Sequence, residues 1–462
     1  MVARIAERVL RELEAAPGAG AGIPAPAGQA GVFPDVPRAL AAAEAAFHAF
    51  RAIGLERRIR IIQRLREGLR PRAEDLARLA VEETGMGRVE DKVLKNLLVI
   101  DKTPGPEILE AKAVSGQHGL CLEELAPYGV IGSITPCTNP SETVINNGIG
   151  MISGGNAVVF NAHPAAKRTT AFTVDLINRL LVAEGAPPDL ICCTAEPTIE
   201  SAKELMEAKG TRLVVVTGGP AVVQAAFAAG KKVIAAGPGN PPVVVDETAD
   251  LEQAARGIVA GASFDNNVVC TCEKEVIAVE AIADRLKQAL ALAGAYELKG
   301  KEIAAVEKLV VEGFHPHKAF VGKDAAVILR AAGIPTSGAP RLVFADVPFQ
   351  HPFVQAELLM PVIGFTRAKD VHEAIALARQ AEHGFRHTAS MYSKNIDHLH
   401  EMAVAMDCSI FIKNGPNFNG LGFEGSGPTS FTIASPTGEG LTNALTFTRR
   451  RRCVLKDHFR IV

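Results

Sequence analysis

The chain has 462 residues, 48% hydrophobic and 22% charged, with a formal charge of -2 and eight cysteines. That length fits two or three packed domains, and the balanced charge gives no basic field for nucleic acid and no acidic one for a basic partner. With no CxxC pair, no secretory apolar core at the start and no run of 18 apolar residues free of charge, Gly or Pro, the expectations are a reducing cytoplasm, no disulfide framework and no membrane span.

Residues 1–16, "MVARIAERVLRELEAA", place Val2, Ile5, Val9 and Leu13 at spacings of three and four, which predicts a short amphipathic helix. The Pro/Gly/Ala stretch 17–36 can neither hold a helix nor bury a core, and reads as a linker. So short a helix is marginal alone and gains stability only against a partner surface. Docking on its own body and addressing another protein are both open, and the long tether favours the second.

From residue 37 helical and strand patterns alternate. "RALAAAEAAFHAFRAIG" and "LERRIRIIQRLREGLRPRAEDLARLAVEETG" are helical, the second interrupted near Pro71. "YGVIGSITP", "NAVVFNA", "DLICCTA", "RLVVVTGG" and "KKVIAAG" are short β-branched runs with helical stretches between them, the pattern of a parallel sheet covered by helices. A second series begins at "PPVVVDE" and continues through "EKEVIAVE", "RLVFADV", "PVIGFTRA" and "CSIFIKN". This predicts two α/β domains, 37–239 and 240–430, joined near Pro241. The tail 441–462 alternates well enough for a strand that pairs elsewhere, with another subunit as one partner. No internal repeat is visible.

No GxGxxG follows a strand, so the common dinucleotide fingerprint is absent. In "RLVVVTGGPAVVQAAFAAG" a buried strand ends at Thr217, Gly218 and Gly219 turn the chain, and Pro220 takes the first helical position. Free amides and the helix dipole would face a phosphate there, although an ordinary strand-to-helix turn reads the same way. "GSITPCTNPSETVINN" ends a strand at Pro136 and leaves Asn139 on the turn as an exposed amide donor, suited to an oxyanion site or simply to a turn. "ASFDNNVVCTCEKEVIAVE" runs from a polar turn into a strand, with Cys270 where loop gives way to strand and Cys272 deeper on the same strand face. A buried cysteine is usually a small core hydrophobe. A C-x-C with no second pair makes metal binding a poor reading.

Taken together, "TPCTNPSETVINN", "GNAVVFNAHPAAK", "VTGGP", "FDNNVVC", "EKEV" and "HGFRHTA" resemble the aldehyde dehydrogenase superfamily, nearest to the CoA-acylating acetaldehyde and propionaldehyde dehydrogenases of bacterial microcompartments. The resemblance runs from about residue 35 to the end. It implies an aldehyde dehydrogenase-like α/β fold of two Rossmann-like parallel-sheet domains with a small oligomerisation strand region, to which 112–126 and 441–462 contribute. It implies Cys270 as nucleophile, with the Asn139 side chain and the Cys270 amide as oxyanion donors, and a structural Cys272. Ile134, Thr135, Pro136, Asn161, Thr217, Gly218, Gly219, Gly237 and Glu357 are the implied cofactor-binding residues, Glu357 on the nicotinamide ribose. Asn161 stands where hydrolytic relatives often carry a lysine, which leaves NAD and NADP both open. His387 would assist a proton transfer or is a packed histidine.

Hydrolytic relatives carry a water-activating glutamate where this chain has Ala235, in "IAAGPGNPP". Without that base a thioacyl enzyme can wait for a thiol. The implied activity is therefore oxidation of a short-chain aldehyde to acyl-CoA, with NAD and coenzyme A and no metal. The alternatives are a hydrolytic aldehyde dehydrogenase and a non-catalytic cargo or scaffold protein. The run Arg449–Arg452 could meet a CoA phosphate, but alternate strand residues face opposite ways, and a solvated or inter-subunit face fits as well. The resemblance further implies a homodimer or homotetramer in a microcompartment lumen, with residues 1–16 addressing shell or cargo proteins.

Overall fold

The computed structural model describes residues 28–336, 338–459 and 461, so the helix expected over 1–16 and the linker up to residue 27 lie outside the described residues. The described chain forms two compact units, one of residues 28–79, Asn96–Ala236 and from Pro428 on, the other of Ala80–Lys95 and Gly237–Gly427.

The first unit is built on a parallel sheet of β1 (Val32–Phe33), β4 (Val130–Thr135), β5 (Ala157–Ala162), β6 (Ile191–Thr194), β7 (Thr211–Thr217) and β8 (Val233–Ala236), in the order β1-β6-β5-β4-β7-β8. β4 and β5 are buried at every position, as strands covered on both faces must be. The chain winds from β4 outward through β5 and β6, then returns to β7 on the other side of β4. The carboxyl ends of β4 and β7 therefore flank the switch point, where open α/β sheets receive ligands.

The end of the expected linker is ordered. Val32 and Phe33 pair with Cys193 and Thr194, and Asp35 caps the helix Val36–Phe50 by accepting the Arg38 N–H at 2.9 Å. That helix buries Val36, Ala39, Ala43, Ala46 and Phe50 along one stripe.

The same unit holds an antiparallel sheet of β2 (Lys112–Gly116), β3 (Gly119–Pro127) and β20 (Thr448–Lys456). The tail, expected to pair away from the second series of strands, forms β20 and pairs with β3 from Thr448↔Pro127 to Lys456↔Gly119. The arginine run is exposed on that strand, with Arg452 ion-paired to Glu123. A short pair, β18 (Ile433–Ala434) with β19 (Gly440–Leu441), completes the unit.

The second unit is a seven-stranded parallel sheet of β9 (Pro242–Val245), β10 (Glu275–Val279), β11 (Ala295–Leu298), β14 (Leu342–Asp346), β15 (Val362–Ala368), β16 (Thr388–Tyr392) and β17 (Ile410–Lys413). Their order is β11-β14-β15-β10-β9-β16-β17, and β12 (Val311–Glu312) and β13 (His315–Pro316) form a separate hairpin. Val243, Val244, Val245, Val276, Ile277, Phe344 and Phe365 pack with Ile258, Leu286, Ile375 and Met402 from the covering helices. β11 and β16, "AYEL" and "TASMY", are not among the expected strands. Neither has the β-branched run that marks the others.

Residues 80–95 fall inside the expected first domain by sequence order but pack in the second unit. Lys92 and Lys95 bind Asp265 there, and the Gly87 N–H donates to the Gly322 carbonyl at 2.9 Å.

Candidate active site

In the second unit, four segments that precede the adjacent strands β15, β10, β9 and β16 carry Glu357, Cys270, Gly237 with Gly239, and His387. They converge at the amino edge of the sheet, and Gly239 is the point of contact. A Cβ there would lie 3.0 Å from the Cys270 carbonyl oxygen and 3.0 Å from the His387 ring, so a larger residue would have to push its neighbours back by a few tenths of an ångström. The Gly239 N–H also favours the charged form of the Glu357 carboxyl.

The turn that bears Cys270 is costly and heavily braced. The helix Leu251–Ala262, capped by Asp250 on the Gln253 N–H, delivers the chain to Asp265, Asn266 and Asn267. These have φ of 46°, 52° and 64°, three successive non-glycine residues in the left-handed region. Each costs about 1–2 kcal/mol. Asp265 is fully buried between Lys92 at 2.9 Å and Lys95 at 2.5 Å, and it accepts the Arg88 N–H at 2.8 Å. Burial pushes its carboxyl up, but the two lysines hold it below its ordinary value. The Asp265 N–H is taken by Asp91, which Arg341 contacts at 3.2 Å. Asn266 donates to the Gly322 carbonyl, and Asn267 donates to the carbonyls of Ala262 and Glu273.

Cys270 lies in the turn after this segment, ahead of Glu275 where β10 begins, rather than at the strand edge. Cys272 is likewise in the bend, not on a strand face, and is 2% exposed, whereas Cys270 is half-buried. Burial pushes the Cys270 thiol up to about 12, Glu357 adds to the rise, and Lys274 and Lys95 oppose it. Burial raises the Glu357 carboxyl to about 7 against Lys274 and the Gly239 N–H. Burial lowers His387 to about 4, with Lys274 acting in the same direction, so its imidazole is neutral at physiological pH. Its Nδ1 lies 2.8 Å from Thr388 Oγ1, and its buried Nε2 has no hydrogen-bond partner among the described residues.

In the first unit the expected cofactor residues stand at the carboxyl edge, on both sides of the switch point. Ile134 and Thr135 end β4, and the buried Thr135 Oγ1 has no hydrogen-bond partner among the described residues. Thr217 ends β7, its hydroxyl 3.0 Å from that of Thr432. Gly219 opens the helix Pro220–Ala228, with open space where its Cβ would stand. The Gly218 amide is not free as expected. It donates to the Ala236 carbonyl at 3.1 Å, extending the β7–β8 ladder, so donors to a phosphate are left to the helical turn after Pro220.

Asn139 precedes the helix Pro140–Ser153 and is 6% exposed, not an exposed donor; its amide donates to Thr138 Oγ1 at 3.2 Å. Asn161 is 1% exposed and tied to Thr194, Thr198 and Ser201, the last two forming the capping box of the helix Ile199–Glu207. It braces that cap from inside the sheet. Gly219, the orphaned Thr135 hydroxyl and the switch point between them fit a dinucleotide. Among the described residues no His, Cys, Asp and Glu side chains group to hold a metal ion, and no helix is long and apolar enough to cross a membrane.

Sequence reasoning missed Gly239, Lys274 and the Asp265 brace. The only sign of the brace is two lysines three apart in a mostly apolar helical run, "KVLKNLLVI".

A two-sheet α/β chain with a braced half-buried cysteine at one sheet's amino edge and a dinucleotide-type switch point on the other defines a class. The chain belongs to the aldehyde dehydrogenase family, which it matches over residues 27–300 and 339–435. It is 47% identical to the Salmonella typhimurium acetaldehyde dehydrogenase (acetylating) EutE over 94% of each chain. The structure of Rhodopseudomonas palustris propionaldehyde dehydrogenase with bound CoA and an acylated cysteine superposes with a TM-score of 0.90, at 46% identity, covering 92% of this chain and 98% of that one. A propionaldehyde dehydrogenase from the Clostridium phytofermentans fucose utilisation bacterial microcompartment gives a TM-score of 0.92 at 46% identity, covering 94% and 100%.

Proposed function

We infer that the protein is a CoA-acylating aldehyde dehydrogenase that converts a short-chain aldehyde, acetaldehyde or propionaldehyde, to acyl-CoA with reduction of NAD. The observation that carries this reading is the braced Cys270 with Glu357 and His387 at one sheet edge, in a chain whose family position for the water-activating glutamate is Ala235. Ala235 is a fully buried residue of β8, its N–H donated to Thr437 Oγ1.

When bound, the nicotinamide accepts a hydride and the CoA thiol accepts the acyl group. Cys270 sulfur bonds to the aldehyde carbon, which requires loss of the thiol proton. His387, whose buried Nε2 has no hydrogen-bond partner among the described residues, is the proposed acceptor by its place beside Gly239; burial and Lys274 weaken it as a base, so it can serve only if its basicity rises when substrate binds. Asn139 is the proposed side-chain donor to the hemithioacetal oxyanion, by its place in the family motif. Loss of hydride leaves a thioester on Cys270, and attack by the CoA sulfur releases the enzyme thiol, in ping-pong order. Glu357 is the proposed ribose ligand, and Thr135, Thr217 and Gly219 line the proposed dinucleotide site. Cys272, buried and outside the edge cluster, is structural.

Propionaldehyde-dependent NADH formation, measured with and without CoA, tests this. Propionyl-CoA should appear in step with NADH. Free propionate formed at the same rate without CoA would contradict it.

The residues 1–16 are proposed to address the enzyme to a microcompartment, a reading supported by their apolar stripe and by the microcompartment source of the Clostridium phytofermentans relative. Removing residues 1–20 should leave turnover intact and abolish co-purification with shell proteins. Loss of activity instead would make the segment part of the catalytic body.

A further inference from the structure

Three lysines are buried around the Cys270 turn, and they are bound differently. Lys92 and Lys95 share the Asp265 carboxylate. Among the described residues Lys274, 3% exposed, bonds only to neutral oxygens: the Asn267 carbonyl at 2.9 Å, Asn267 Oδ1 at 2.5 Å and the Val269 carbonyl at 3.4 Å. An ammonium held by neutral dipoles keeps its field for the groups around it, and in a dry site that field is strong. Its acceptors belong to the strained turn, and Val269 is the residue before the nucleophile.

We propose that Lys274 is a positioning residue for the thiol chemistry: its buried ammonium clamps the turn that carries Cys270 and stabilises negative charge on the sulfur. Asn267 completes the clamp, since its amide ties the same turn to the carbonyls of Ala262 and Glu273. The Lys274 N–H is itself fixed by the Pro241 carbonyl at 3.0 Å, which ties the clamp to β9.

The charged and titratable groups around Cys270 come from several elements. Glu357, ahead of β15, opposes the thiolate; Lys274, ahead of β10, and Lys95, on the helix Val89–Lys102, favour it. His387, ahead of β16, is neutral. Lys274 also acts on Glu273, Glu275 and Cys272, beside it in sequence, while Glu382 acts on Glu275 and Asp265 on Cys272. Of the two cations acting on the thiol, Lys274 has no carboxylate bound to it among the described residues.

The proposal rests on Cys270 being the nucleophile, and the experiment separates the two. Alkylation of Cys270 in the full-length enzyme is followed by peptide mass, with neutral iodoacetamide and anionic iodoacetate, from pH 7 to 9.5. In Lys274→Gln the iodoacetamide rate should fall about tenfold at every pH, equivalent to a one-unit rise of the thiol. The iodoacetate rate should fall further, because the local cation that attracts the anion is gone. Lys274→Arg should recover both the rate and the iodoacetate preference, and it serves as the reporter if Lys274→Gln does not fold. A purely structural role would lower both rates equally and leave their ratio unchanged. An unchanged ratio in Lys274→Gln, or a folded Lys274→Arg with the ratio lost, overturns the proposal. If alkylation of Cys270 leaves wild-type activity intact, the nucleophile assignment fails first, and the proposal with it.

Discussion

In the six-stranded sheet the residues assigned to the cofactor follow the strands, whereas in the seven-stranded sheet those assigned to the reaction precede them. The difference is one of supply. Past a carboxyl edge helices begin, so amides and the positive ends of helix dipoles are present for any parallel α/β unit. The helix Pro220–Ala228 after Gly219 is such a case. At an amino edge the chain arrives from helix ends and nothing of the kind is provided. The seven-stranded sheet uses side chains instead, with Asp265 between two lysines, two asparagines in left-handed conformation, and Lys274 on the turn carbonyls. One edge draws its electrostatics from the backbone and the other builds them from buried charge.

If that contrast holds, substitutions at the amino edge carry the largest effects. Cys270→Ala should abolish aldehyde-dependent NADH formation outright. Cys272→Ala should keep most of the activity and cost about 1 kcal/mol of stability in urea denaturation. The reverse pattern would exchange the two cysteines. Asp265→Ala removes the shared carboxylate of two fully buried lysines and should destabilise the protein by about 3–5 kcal/mol, as loss of one partner of a buried ion pair does. Normal stability in that variant would show that the lysines are hydrated and the brace is not electrostatic.

How much of this could be read beforehand differs between the two edges for the same reason. The strand ends lie where β-branched runs such as "GVIGSIT" and "RLVVVTGG" stop at Pro or Gly, and periodicity finds those ends, while their assignment to a cofactor comes from the family resemblance. Cys270 is singled out as the proposed nucleophile by the motif around it. Its brace is not singled out, because Lys92 and Lys95 are distant in sequence, and only the fold brings them to Asp265. Gly218 and Asn161 carry contacts that were hidden in a related way. Both have the right residue type at the right place, but backbone pairing claims the Gly218 amide and the cap at Thr198 claims the Asn161 side chain. Whether a polar group is already satisfied is a property of tertiary structure, and no local pattern reports it.

Asn139 sharpens the comparison from the other edge. As an oxyanion donor its replacement by Ala should lower turnover about 10²–10³-fold with a much smaller change in aldehyde binding. Unchanged turnover would leave it only a helix-capping position.

The smallest effect is expected at Glu357. Its carboxyl ionises at about 7, and each ionised carboxylate opposes the Cys270 thiolate. Wild-type alkylation of Cys270 should therefore rise less than tenfold per pH unit between 6 and 8, because Glu357 gains its charge over that range. Glu357→Gln should restore the full tenfold slope and react a few-fold faster at pH 8. A slope identical in the two proteins would separate Glu357 from the thiol.

The central claim is that the thioester on Cys270 waits for a thiol rather than for water. Rapid mixing of the enzyme with NAD and propionaldehyde, without CoA, measures this directly through the amplitude and the slow phase of NADH absorbance. A burst of about one NADH per active site should be followed by a slow phase, with steady turnover on adding CoA. Steady NADH production without CoA, at the rate seen with it, would mean that a group other than residue 235 activates water, and would contradict the claim.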